Sequence, residues 1–270
     1  MVIISICLFF FYIFVLIVQL LFLLLILETD YLLIFDADDF FHGTFKFPSK
    51  LSNDMYSFKF GDPGNNFVYN RPLLINNRKR FEFKGVLHEY LSPMEKADSP
   101  VLIDGKYGVQ SGKEGDRSKD PDKYKKDAKI LSVAFEKEKD ESMKNRYAFY
   151  CAQSYKDCGN REKAIEWYKK VLGRNNWAQE KYYAALTIGH LYNAEGNKDK
   201  ALHFWLKTMD YDMMRIEGVV CACQEYQTRG MHNMVVILFE AFKYYKDNLG
   251  EPADKLFLDN SKYNYALEIL

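Results

Sequence analysis

Three times in the second half of the chain a tyrosine is followed four residues later by a glycine: "YKDCG" at 155–159, "YNAEG" at 192–196 and "YQTRG" at 226–230. The glycines lie 37 and 34 residues apart. Five residues beyond each comes Ala164, Ala201 or Val235, and then a bulky pair: Trp167–Tyr168, Phe204–Trp205 or Leu238–Phe239. A period of this length belongs to paired antiparallel helices, with the small residue where the two helices cross. A single pair cannot bury its apolar face alone, so neighbours must stack, and three copies are near the minimum for a stable stack. The pattern predicts at least five helices over 142–250, with Tyr155, Tyr192 and Trp205 buried. Just ahead of it, Tyr124, Ala128, Leu131 and Phe135 recur at helical spacing from Pro121 to about Lys139. Asp120 is placed to cap that helix and Pro121 to be its first residue.

This is the grammar of a tetratricopeptide array, and residues 121–270 are assigned to it. The grammar fixes architecture more than function, because its Tyr and Trp are core residues first. Such arrays often bind peptides, which makes a protein partner one expectation. No single-sign patch on the repeats names that partner.

Residues 28–120 read differently. Tyr31–Phe35 is a five-residue apolar run suited to a strand buried on both faces of a sheet. Met55–Phe60 alternates, Phe67–Ile75 contains "VYNRPLLI", and Phe81–Val86 reads "FEFKGV". "GDPGNN" and "NNRK" between them have turn composition. The expectation is a mixed sheet with few helices, and for the whole chain an α/β part followed by an all-α part.

Three places in the sheet region could carry chemistry. In "DYLLIFDADDFF" the carboxylates Asp36, Asp38 and Asp39 follow the apolar strand. Unpaired acids are costly to bury, and in open α/β sheets the carboxyl edge of the strands is where ligands bind. Asp36 and Asp38 can hold a divalent cation through hard oxygen ligands, with phosphate oxygens and water completing the shell. His88 and Glu89 in "GVLHEYL" follow another apolar strand. Neighbours on a strand face opposite ways, so both can serve one site only where the strand has ended. The imidazole could then ligate the metal and the carboxylate take a proton from a hydroxyl; the plain alternative is a hydrogen-bonded loop His beside a solvated Glu. Arg117 in "GDRSKDPDKY" could fold over a diphosphate from its Gly-flanked loop, or simply be solvated. His42 stands near the strand end with nothing specific to support it.

Lys plus Arg equal Asp plus Glu at 37 each, so no global field favours nucleic acid. Five cysteines form no CxxC pair and no zinc-finger spacing, which reads as reduced thiols. Met1–Leu27 holds no charged residue. As a helix it would extend roughly 40 Å, enough to cross a hydrocarbon core of about 30 Å. It lacks the basic start and the cleavage site of a signal peptide. A run of Phe, Leu and Ile is also what AT-rich DNA gives when translated outside its frame. A single-pass membrane location follows from the first reading, a cytoplasmic one from the second.

Beyond these readings, residues 28–270 resemble family 2 glycosyltransferases with a tetratricopeptide tail. "DYLLIFDADD" is similar to their strand and DxD, and "FEFKGVLHEYL" to their W-x-G-x-HE stretch, with Phe83 in place of Trp. "DRSKDPDKYKKDAKIL" and "NRYAFYCAQSYKDCGNREKAIEWYKKVL" are similar to the loop, helix and first repeat that follow, and "WAQEKYYA" and "MMRIEG" continue the likeness. The resemblance implies a nucleotide-diphospho-sugar-binding α/β fold over 28–120, Mn²⁺ or Mg²⁺, and transfer of a hexosyl-type sugar from its nucleotide donor to a hydroxyl acceptor. By resemblance Asp36 and Asp38 would bridge the metal to the donor, His88 add a ligand, Glu89 act as base and Arg117 contact the diphosphate. It also implies about a hundred residues before the DxD strand that hold base and ribose, where this chain has 27 apolar ones. The expectation is therefore a partial domain, weak donor binding and little turnover. The rival reading is a membrane-tethered helical-repeat adaptor carrying an inactive transferase remnant.

Overall fold

The computed structural model describes residues 3–7, 29–36, 38–61, 69–112, 119–249, 256–259 and 262–263. The chain divides into two compact units, one of residues 1–85 and 89–119, the other of residues 86–88 and 120–270. A mixed sheet dominates the first unit and helices the second.

The sheet unit contains β1 (Ile3–Cys7), β2 (Tyr31–Phe35), β3 (Phe40–Lys46), β4 (Met55–Phe60), β5 (Tyr69–Asn76), β6 (Phe81–Lys84), β7 (Tyr90–Pro93), β8 (Val101–Leu102) and β9 (Asp104–Gln110). Seven of them form one sheet in the order β1-β2-β5-β4-β9-β3, with β8 paired to β4. β1 runs parallel to β2 through five residue pairs, Ile3 opposite Tyr31 to Cys7 opposite Phe35. The helix expected from Met1 is thus corrected at 3–7: the β-branched "IISIC" takes a strand, the conformation such residues favour. The rest of the apolar run, 8–28, lies outside the described residues. Among the described residues no helix is long and apolar enough to cross a membrane.

The apolar run of β2 predicts burial on both faces. Instead the strand alternates, with Tyr31, Leu33 and Phe35 buried and Leu32 and Ile34 half-buried. Its buried side meets an aromatic core in which Phe58, Phe60, Leu74 and Val109 are almost fully enclosed. The rings interlock edge to face, Phe58 with Phe41, Phe45 and Tyr107, and Phe35 stacks on Phe41 at 4.7 Å. Each such side chain contributes about 1.5–3 kcal/mol by leaving water.

The helical unit contains α1 (Lys123–Lys137), α2 (Glu141–Asp157), α3 (Arg161–Gly173), α4 (Ala178–Ala194), α5 (Lys198–Lys207), α6 (Glu217–Thr228) and α7 (His232–Leu249). Each helix packs on the next in sequence, as a stack requires. α1 begins two residues later than its sequence signals: Asp120 accepts from the Asp122 N–H at 3.0 Å in a preceding turn. Ala164, Ala201 and Tyr168 are fully buried and Trp167, Tyr192 and Trp205 nearly so, while Tyr155 is half-buried rather than buried.

The repeated Tyr-x-x-x-Gly has one structural meaning in all three copies. Gly159, Gly196 and Gly230 take φ of 79°, 77° and 69°, the left-handed region that glycine enters without penalty. The residue after each glycine donates its N–H to the tyrosine carbonyl at 2.9 Å, Asn160 to Tyr155, Asn197 to Tyr192 and Met231 to Tyr226. The glycine N–H bonds back to the residue after the tyrosine at 2.9–3.0 Å. These paired bonds close the first helix of each pair. Asn160 and Asn197 then start the next helix, each accepting a backbone N–H at 3.2 Å, from Lys163 and Lys200. Cys151, Cys158, Cys221 and Cys223 are free; burial pushes the Cys151 thiol up to about 12 and those of Cys221 and Cys223 up to about 11.

Candidate functional site

Two places gather the functional side chains, one in each unit. In the sheet unit the acidic turn leaves the carboxyl end of β2. The Asp39 N–H bonds to the Asp36 carbonyl at 3.1 Å, so the three carboxylates share one tight turn. Asp36 is half exposed and pairs with Arg71 of β5 at 3.1 Å. Arg71 also lies over the Phe60 ring, which stacks on Tyr69. Asp39 is half-buried, and its Oδ2 has no hydrogen-bond partner among the described residues. Burial first, and the Asp36 charge second, raise its pKa above the usual carboxylate value; Ser111 and the Gly112 amide oppose this only partly. A Cβ at Gly112 would strike the carbonyl and side chain of Asp38, so glycine is what lets the chain just past β9 approach the turn.

The "FEFKGVLHEYL" segment forms the β6–β7 hairpin, and the first strand ends at Lys84. His88 and Glu89 therefore stand in the connecting loop, both exposed, rather than on alternating strand faces. Residues 86–88 group with the helical unit and Glu89 with the sheet unit. Leu87 enters the helical core. The His88 ring stacks on Tyr150 of α2 at 4.0 Å, and its carbonyl accepts from Arg146 Nε at 3.2 Å and Nη2 at 2.5 Å. His88 has φ 52°, a left-handed conformation uncommon for a residue with a side chain. Arg117 lies outside the described residues. Among the described residues no group of three or more His, Cys, Asp or Glu side chains is placed to hold a metal ion. The donors present at the turn, two carboxylates from Asp36 and Asp38, suit a hard cation that takes its remaining oxygens from elsewhere.

The second place escapes the sequence reading, although "MMRIEG" contains it. Arg215 is fully buried and bonds to the nearly buried Glu217 at 2.7 Å. Burial alone would lower the Arg215 pKa, but the bonds and charge of Glu217 hold it above the ordinary value. The guanidinium lies over the Tyr182 ring of α4 at 4.1 Å and bonds to the Gln179 side-chain oxygen at 2.9 Å. Gln179 in turn donates to Asp212 at 2.7 Å, and the Tyr182 hydroxyl donates to Glu217 at 3.1 Å while accepting from the Gly218 N–H at 3.0 Å. A buried ion pair persists only when its other valences are satisfied; these bonds satisfy part of them, and residues 256–259 with Tyr263 supply the rest. The sequence signal is slight: an Arg and a Glu two apart in an otherwise apolar stretch.

Residues 256–259 and 262–263 complete this cluster. The Leu256 carbonyl accepts from Arg215 at 2.8 Å, and its N–H faces Gln179 at 3.4 Å. The Asp259 N–H and the Tyr263 hydroxyl both reach Glu217, at 3.3 and 3.1 Å. Phe257 lies against Tyr183 of α4 at 5.1 Å and Phe149 of α2 at 6.4 Å between ring centres. The segment thus touches α2, α4 and the start of α6, the first helices of the three pairs.

No protein-family model matches the chain, and no curated protein matches it. Among solved structures it is similar to a crystal structure of MamA, at 15% identity and TM-score 0.34 over 48% of this chain and 81% of that one. It is also similar to BtubC (BKLC) from P. vanneervenii, at 13% identity and TM-score 0.35 over 57% of this chain and 68% of that one.

Proposed function

We propose that the chain is a helical-repeat adaptor, which holds peptide segments on the face built from α2, α4 and α6. One observation carries this reading: two separate stretches of the chain are held through backbone and aromatic contacts, His88 by α2, and residues 256–259 with 262–263 by α2, α4 and the start of α6. Backbone-directed bonds together with aromatic stacking are the means by which a groove takes a peptide. On this reading the sheet unit, with its resemblance to family 2 transferases, is a remnant that need not turn over.

A second reading is favoured by the acidic turn. Asp36 and Asp38 at the carboxyl end of β2 suit a Mn²⁺ or Mg²⁺ ion that carries a nucleotide-diphospho-sugar, whose sugar would pass to a hydroxyl acceptor. The metal would supply charge stabilisation for the departing diphosphate. Asp36 and Asp38 would hold it, Arg71 would have to release Asp36, and His88, Glu89 and Arg117 keep the roles of ligand, base and diphosphate contact that the resemblance implies.

Two variants separate the readings. Peptides selected on the full chain from a random display library should lose at least tenfold in affinity with Tyr183→Ala and keep it with Asp36→Asn plus Asp38→Asn. Mn²⁺-dependent sugar transfer by the purified chain, abolished by the double Asp variant, would establish the transferase instead.

A further inference from the structure

We infer that residues 256–259 together with Tyr263 are an exchangeable resident ligand of the α2–α4–α6 face, so that the adaptor is occupied by its own chain and takes other peptides of the same chemistry by displacement. The inference rests on the adaptor reading and adds to it the ligand class and the form of control.

The receptor groups bond to one another as well as to the segment. Arg215 with Glu217, Gln179 with Asp212, and Tyr182 with Glu217 and Gly218 bond to one another across α4, α6 and the turn before α6. What they leave over is a set of valences aimed at a passing backbone. Arg215 Nη1 takes the Leu256 carbonyl and Gln179 Oε1 faces the N–H of the same residue, a two-point grip on one residue's backbone that reads no side chain. Glu217 takes a further backbone N–H, that of Asp259. Side-chain identity enters at Phe257 against Phe149 and Tyr183, and at the Tyr263 hydroxyl on Glu217. The ligand class is therefore a peptide segment with a Leu-Phe-like pair and, about six residues on, a second aromatic residue that bears a hydroxyl.

Two further facts point to displacement rather than permanent packing. Phe257 is held at φ 51°, where a residue bearing a side chain is disfavoured, so part of the segment's contact energy is offset by its own backbone and its hold on the face is weakened. Leu256 to Asp259 are also only half-buried, unlike the receptor groups beneath them. Beside Tyr263 a cavity of about 240 Å³ opens between Ile216, Phe239, Phe242 and Lys243, where a longer or bulkier ligand could continue.

The test uses the full chain and a fluorescent peptide of the sequence DKLFLDNSKYNY, residues 254–265. The wild-type chain should bind it weakly. A Phe257→Ala chain, whose own segment competes poorly, should bind it at least tenfold tighter, and a peptide carrying the same change should bind neither. Hydrogen exchange on the wild-type chain gives an answer that does not depend on the variant folding: saturating peptide should speed exchange at the 256–259 amides and leave α2, α4 and α6 protected. Equal peptide affinity of the two chains with helical content intact, or unchanged protection of 256–259 at saturation, overturns the inference. A library peptide that binds through Tyr183 while this peptide does not would overturn the inference and leave the adaptor reading standing. Absence of all peptide binding removes both.

Discussion

Asp39 is a carboxyl placed against its own ionisation, half-buried, with one oxygen unpartnered among the described residues and the Asp36 charge beside it. Its raised pKa means that the folded chain holds this proton more tightly than the unfolded chain does. The favourable contribution is fully present below the unfolded value near 3.8 and is lost as pH rises through the raised one. At neutral pH the charged group therefore opposes folding, and Asp39→Asn should stabilise the sheet unit. The gain should stay under about 1 kcal/mol, because both carboxylates are partly screened by water. Urea denaturation at pH 7 and again below pH 4 should show the variant's advantage shrink in acid. An advantage that grows in acid would mean another group sets the behaviour of the turn. The positions of Asp36 and Asp38 are legible from the strand-then-acid pattern. Arg71 as the Asp36 partner is not, because that pairing joins residues 35 apart in the chain, across the neighbouring strands β2 and β5.

Elements are legible where the pattern is local. Tyr31–Phe35 and Met55–Phe60 form the strands their apolar runs predict, and the glycine period marks all three helix junctions. β3 and β9 are not, since seven residue pairs hold each to a partner some sixty residues away and neither carries clean alternation. β1 is hidden for a different reason: a run of uninterrupted apolar residues has no period from which strand or helix could be chosen. The third helix pair differs from the other two in one respect. Its glycine is followed by the exposed Met231 where Asn160 and Asn197 cap the earlier pairs. Met231→Asn should supply the missing cap and raise stability by about 1 kcal/mol, while Asn197→Ala should cost about the same. Thermal unfolding of the two single variants checks both signs. No gain from Met231→Asn would mean that α7 starts with its first N–H groups already satisfied.

At the scale of the whole molecule, the split into a sheet unit and a helical unit follows the change from alternating runs to a 3.6-residue period. What the sequence does not disclose is that residues 86–88 leave one unit for the other. Leu87 is buried among the helices, far in sequence from the repeats. A fragment of residues 120–270 should still give a helical far-UV circular dichroism spectrum, since its core is continuous. It should be less stable than the same unit in the full chain by about 1.5–3 kcal/mol, the contribution of one buried leucine side chain. Chemical denaturation followed at the helical signal measures this. A random-coil spectrum would remove the stacked-pair description.

The excursion at 86–88 also fixes an order in time. His88 and the Arg146 that grips its carbonyl are 58 residues apart, so the loop leaves the ribosome well before its partner exists. At about 5–20 residues per second, several seconds pass before α2 can receive it. During that interval Leu87 is exposed on a hairpin with no helix to cover it. The nascent chain is therefore most prone to capture by chaperones or to self-association between the synthesis of β7 and that of α2, and a ribosome pause placed there should lower the yield of folded protein more than one placed within the repeats.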